Sequence, residues 1–95
     1  MRKRARIDAN QNEIAKALRA IGCSVLFTHQ LGDGAGDLLI GFRGRNLMLE
    51  LKDGDKPKSR QKLTKDETEF KSSWRGHYAV VSSVAEAIDE VRRNG

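Results

Sequence analysis

Leu38-Leu39-Ile40-Gly41-Phe42-Arg43-Gly44-Arg45-Asn46-Leu47-Met48-Leu49-Glu50-Leu51-Lys52 reads as a β-hairpin around which the chain is organised. Two apolar runs of strand length, Leu38 to Phe42 and Leu47 to Lys52, flank Arg43 to Asn46, a stretch with a turn glycine. They should pair antiparallel. A two-residue loop at Gly44-Arg45 and a four-residue loop at Arg43 to Asn46 give one register, with Asp37 opposite Lys52 and one diagonal step from Glu50. Side chains alternate along a strand and cross-strand partners share a face, so Asp37, Glu50 and Lys52 converge. An odd-length loop would invert one strand and separate Asp37 from the other two.

Leu47, Leu49 and Leu51 form the core-facing side of the second strand, and Glu50 and Lys52 interrupt its other face. Paired carboxylates are hard oxygen ligands of the kind Mg²⁺ or Mn²⁺ requires, with water and substrate phosphate completing the shell. Such an ion activates a water and neutralises charge on a phosphoryl group. Lys52 is then placed to orient that water or to stabilise the transition-state oxyanion. The plainer alternative is a surface ion pair on a half-exposed hairpin.

Periodicity lays out the remainder. Ile14, Ala17, Leu18 and Ile21 repeat at helical spacing and stop at Gly22, which predicts a helix over Gln11 to Ile21. Ser24 to Thr28 is a first strand, and Gly32-Asp33-Gly34-Ala35-Gly36 bends the chain into the hairpin. Thr64-Lys65-Asp66-Glu67 is a capping box opening a helix with Phe70 and Trp74 on one side. His77 to Ser82 is a fourth strand, and Ser83-Val84-Ala85-Glu86 caps a final helix with Ala87, Ile88 and Val91 inward. The expected order is αβββαβα, an α/β fold with a central mixed four-stranded sheet flanked by helices.

The 95 residues make one domain, expected to bury roughly 60–65% of its unfolded surface. No run approaches a membrane span, and the start has no apolar signal core. Residues 1–8 form a basic arm, expected to be poorly ordered or to touch nucleic acid. Eighteen Lys and Arg against thirteen acids give +5, which suits a polyanionic partner. Arg43 and Arg45 crown the hairpin turn, and Lys56, Lys58, Arg60, Lys62 and Lys65 crowd the loop after Lys52, so both are candidate phosphate contacts. Aromatics are only 5% of the chain, which favours backbone or shape recognition over a single-strand platform. Trp74 reads as a core or dimer-contact residue.

Other features carry less. Cys23 is single, so it builds neither a disulfide nor a zinc site. His29 and His77 have no ligand-type neighbour at metal spacing. The glycine-rich bend lacks the helix and lysine of a phosphate-binding loop, so no nucleotide cofactor is expected.

Asn10-Gln11-Asn12-Glu13-Ile14, Gly32 to Asp37, Leu49 to Gly54, Leu63-Thr64, Trp74-Arg75-Gly76 and Val80-Val81 follow one another in an order that resembles the PD-(D/E)xK nuclease core. More narrowly, the chain is similar to the small phage-type VRR-NUC group, which looks like stand-alone Holliday-junction-resolvase domains. The resemblance covers nearly the whole chain. It implies a restriction-endonuclease-like fold and a Mg²⁺- or Mn²⁺-dependent DNA endonuclease (a phosphodiester hydrolase), selective for branched or junction DNA. It further implies a homodimer in the cytoplasm of a bacterial or phage-infected cell, with Asp37, Glu50 and Leu51 at the metal and Lys52 as a catalytic group. Glu13 matches a first-helix glutamate that can add to the metal site. Its residues allow a second role as well, since Asn10 to Glu13 also fits a capping box. The family's usual proline is Gly36 here, and the helix position that often carries glutamine is Glu67 instead of Gln61. Glu67 has its own capping role, so both stay outside the expected catalytic set. A reading of a different class remains beside the enzyme, a non-catalytic nucleic-acid-binding module or accessory subunit on the same fold.

Overall fold

Apolar residues at every second position of the hairpin and at every third or fourth position of two helices can all be buried only by laying those helices on one face of a sheet. The computed structural model describes residues 9–56 and 62–94 and has this arrangement. The elements run α1 (Ala9–Ala20), β1 (Ser24–Phe27), β2 (Leu38–Phe42), β3 (Arg45–Leu51), α2 (Lys65–Ser73), β4 (Tyr78–Val81) and α3 (Val84–Asn94). The sheet order is β1-β2-β3-β4, with β1, β2 and β3 antiparallel and β4 parallel to β3. The expected α/β class, element order and mixed four-stranded sheet are all present. Among the described residues no helix is long and apolar enough to cross a membrane.

The hairpin register differs from the expected one by two residues. Leu38 pairs with Leu49 and Phe42 with Arg45, so the two-residue loop is Arg43-Gly44. Both loop residues have positive φ, 52° and 80°, as a type I′ turn requires, and that turn matches the twist of its strands with glycine in the second place. A shift of two preserves facing. Asp37 therefore stands one step beyond Leu38, opposite Glu50 instead of Lys52, and still shares its face.

Leu38, Ile40, Leu47, Leu49, Leu51, Val25 and Val81 meet Ile14, Ala15 and Leu18 of α1 and Ala87 and Val91 of α3 in one core. Gly22 ends α1 at φ 103°, and Cys23 N–H donates to Leu18 O at 3.0 Å while Gly22 N–H donates to Arg19 O at 3.1 Å, a Schellman closure. Asn10 lies inside α1 and is not its N-cap. Its side-chain amide donates instead to the Lys52 carbonyl at 3.1 Å, so the expected capping box with Glu13 does not form. Helix α2 has the expected box, Thr64 with Glu67, yet buries no residue. Trp74 is not a core residue; it caps the carboxyl end of α2 and is 45% exposed.

Candidate active site

Alternation puts Met48 and Glu50 of β3 on the face away from α1 and α3, together with Tyr78 and Val80 of β4, which pair with them. Asp37 enters from the start of β2 and is held by backbone bonds on both sides. Its carbonyl accepts from Thr28 N–H at 2.8 Å, its N–H donates to Leu49 O at 2.7 Å, and its Oδ2 accepts from Leu51 N–H at 2.8 Å. The Asp37 and Glu50 carboxyl groups lie within hydrogen-bonding reach of each other, as do those of Glu50 and Glu67. Lys52 Nζ stands 2.8 Å from Glu67 Oε1 and 3.5 Å from Glu50 Oε2. The hairpin trio is thus assembled, with a fourth charged group added from α2.

Its electrostatics are those of a site short of positive charge. Glu50 is only 3% exposed, and burial, then the neighbouring Asp37 and Glu67 charges, push its carboxyl up to about 9. Burial raises Asp37 too, against the Leu51 N–H bond that favours its charged form. Burial works against the Lys52 ammonium, but the hydrogen bond and charge of Glu67, with Glu50 behind it, outweigh that and hold Lys52 above its ordinary value. Glu67 moves the other way: burial opposes its charge, yet Lys52 and the Thr64 N–H keep its carboxylate below the usual range. Three carboxyl groups share one ammonium, and Glu50, pushed up to about 9, keeps its proton at neutral pH unless a cation takes that proton's place.

The glycine bend makes room for this. A Cβ on Gly36 would stand 2.6 Å from Met48 Cγ and 2.8 Å from the Leu49 carbonyl, so the residue before Asp37 has no space for a side chain. Gly34, at φ 79°, lies against the Asp66 carbonyl in the first turn of α2 and brings that helix down beside Asp37.

Glu13 is not gathered into the cluster. It is exposed and lines a groove of about 730 Å³ with Asn10, Asp53, Gly54, Asp55 and Ser82, beside the end of β3. Leu51 lies between Glu50 and Lys52, and its N–H points toward Asp37. Its carbonyl, which leaves a strand residue on the same side as the N–H, is the one atom it can offer a cation. Arg43 and Arg45 are exposed at the hairpin tip, on the order of 17 Å from Asp37 at the rise of a strand. Lys56 and Lys62 are exposed, whereas Lys58, Arg60, Gln61 and residues 1–8 lie outside the described residues.

Sequence reasoning missed two members. Glu67 was assigned to its capping box, which it makes, but the same Oε1 that accepts from Thr64 N–H at 2.9 Å also accepts from Lys52. Tyr78 carried no local signal. Its hydroxyl is buried without a partner, and burial, then the charges of Glu50, Glu67 and Asp37, raise it above an ordinary phenol. The chain matches no protein-family profile, no curated protein and no solved structure.

Proposed function

We propose that this chain is a metal-dependent DNA endonuclease that hydrolyses phosphodiester bonds, on the nuclease core that its motif order resembles. The observation that carries the reading is the carboxyl pair of half-buried Asp37 and buried Glu50 beside Lys52. Ionising a carboxyl buried as Glu50 is costs several kcal/mol on the order-of-magnitude scale for buried ions, and a binding surface for a polyanion has no use for such a group. Among the described residues no three His, Cys, Asp or Glu side chains form a ready-made metal cage. The donor set still fits Mg²⁺ or Mn²⁺, which binds through one or two carboxylates plus substrate phosphate and water.

Asp37 and Glu50, with the Leu51 carbonyl, are the groups to hold the ion. When bound it supplies a Lewis acid and a water acidic enough to attack phosphorus. Lys52 is placed to donate an Nζ–H hydrogen bond to the attacking water or to a non-bridging phosphate oxygen. Glu67 keeps Lys52 charged and aimed, and the α2 cap keeps Glu67 in place. Selectivity for branched DNA and a homodimer with one site per strand follow from the resemblance and from the pairing of two symmetric copies.

Labelled four-way-junction, flap and linear duplex DNA incubated with Mg²⁺ or Mn²⁺ test this directly. Nicks by the parent, lost in Glu50→Ala and Lys52→Ala, are expected. Binding without nicks on every substrate would instead favour the non-catalytic nucleic-acid-binding module.

A further inference from the structure

Tyr78, Phe70 and Trp74 make a row of rings that leads from the acid group to the surface. Phe70 and Trp74 are four residues apart on α2, the spacing that stacks side chains on one helical face. Their centroids are 5.1 Å apart with 15° between planes, and the Tyr78 centroid lies 5.6 Å from that of Phe70. At the outer end the Trp74 backbone N–H donates to the Phe70 carbonyl at 2.9 Å, and the indole is held between the Phe70 ring and Gly76, where a Cβ would stand 3.0 Å from Nε1. Trp74 as a residue nevertheless stays 45% exposed. A half-exposed ring already held in place loses little entropy on taking a planar partner.

Asp33, Asp66 and Glu69 line the groove on one side of Phe70, while the stretch that carries the exposed ring is basic and selects the partner there. Phe70-Lys71-Ser72-Ser73-Trp74-Arg75-Gly76-His77 contains no acid, and Lys71 and Arg75 are exposed. Neither enters an ion pair among the described residues. An exposed cation before and another after the exposed ring in sequence suit a nucleotide, phosphates to the cations and base to the ring. A second copy docked symmetrically on this patch would bring like charges together.

We infer that Trp74 is a stacking platform for an unpaired nucleobase close to the bond to be cut, with Lys71 and Arg75 taking the flanking phosphates. This deepens the proposed function and rests on its reading of the chain as acting on DNA. Bases inside a paired duplex are already stacked, so the platform selects forks, flaps, bulges or ends.

Trp74 is the one tryptophan, so its own emission reports the contact. The full chain is titrated without divalent ions against splayed-arm DNA and a blunt duplex of equal length, with anisotropy of labelled DNA reporting binding separately. Emission should be quenched by the splayed-arm DNA and far less by the duplex. Affinity for the splayed arm should fall roughly ten- to hundredfold in Trp74→Leu and stay near the parent in Trp74→Phe, on the scale of base–aromatic stacking. Binding with unchanged emission, equal quenching by both DNAs, parental affinity in Trp74→Leu, or no DNA binding at all overturns the inference. An emission change on diluting the protein alone, which marks a dimer through Trp74, overturns it as well. Quenching without cleavage in Mg²⁺ keeps the platform and removes the nuclease; cleavage without quenching does the reverse.

Discussion

On the side of the sheet beneath α1 and α3, Ile14, Leu18, Leu38, Ile40, Leu49 and Val91 are sealed from water; on the side beneath α2, the helix buries nothing and the sheet seals a glutamate. The first side has the composition of a core. The second is held by one capped helix, a lysine between carboxylates and a row of rings. Burying Leu49 gains free energy and burying Glu50 loses it, so one strand spends through one face what it gathers through the other. A sheet arranged this way separates the residues that make it stable from those free to do chemistry.

Four measurements can break or sharpen that contrast. Glu50→Gln keeps the shape of the side chain and removes its capacity to ionise. Cleavage of junction DNA should fall at least about a hundredfold, as when one preorganised electrostatic group is removed, while melts show stability rising by roughly 1–3 kcal/mol. A loss of both would place Glu50 among the stabilising residues. On the opposite face, Leu49→Ala should cost about 2–5 kcal/mol in denaturant unfolding, whereas Phe70→Ala should cost no more than about 1 kcal/mol. Equal costs would erase the distinction between the faces.

Acidity supplies the third test. Glu50 titrates at about 9 in the folded chain against an ordinary 4.5, so its contribution is fully present below about 4.5 and is lost as pH rises through about 9. Glu67, held below its ordinary value, contributes above that value and loses its contribution as pH falls. A divalent ion competes with the proton on Glu50, so the rise in melting temperature on adding Mn²⁺ should be larger at pH 9 than at pH 6. A rise independent of pH would place the ion elsewhere. The smallest effect is expected far from both faces. Arg43 holds φ 52° in the turn, and Arg43→Asn should stabilise the chain by about 0.5–1 kcal/mol with little change in cleavage. A large loss of cleavage would make the hairpin tip part of the DNA contact.

Much of this was legible because it is local. Alternation named the core face of β3, the helix caps at Thr64 and Ser83 were readable, and Gly22 marked the end of α1. Parity alone put Asp37 on the face of Glu50 and Lys52, and it survived a turn placed one residue earlier. What escaped depends on distant contacts. Asn10 looked like a cap because the carbonyl of Lys52, which takes its amide, is far along the chain. Tyr78 joins the site only through the parallel pairing that sets it beside Met48, and Glu67 only through the crossover that lowers α2 onto Lys52. Trp74 looked apolar enough to bury, and no periodicity shows that α2 buries nothing.

The shared oxygen of Glu67 has a consequence for how the molecule comes of age. Thr64 N–H and Lys52 Nζ both donate to it, so the first turn of α2 and the aim of the lysine are one event. A hairpin closes through neighbours in sequence, whereas this latch waits for the loop between β3 and α2 to come round, a slower closure. A nascent chain can therefore own a finished hairpin and still carry an unaimed lysine, with readiness for chemistry arriving after the fold's outline.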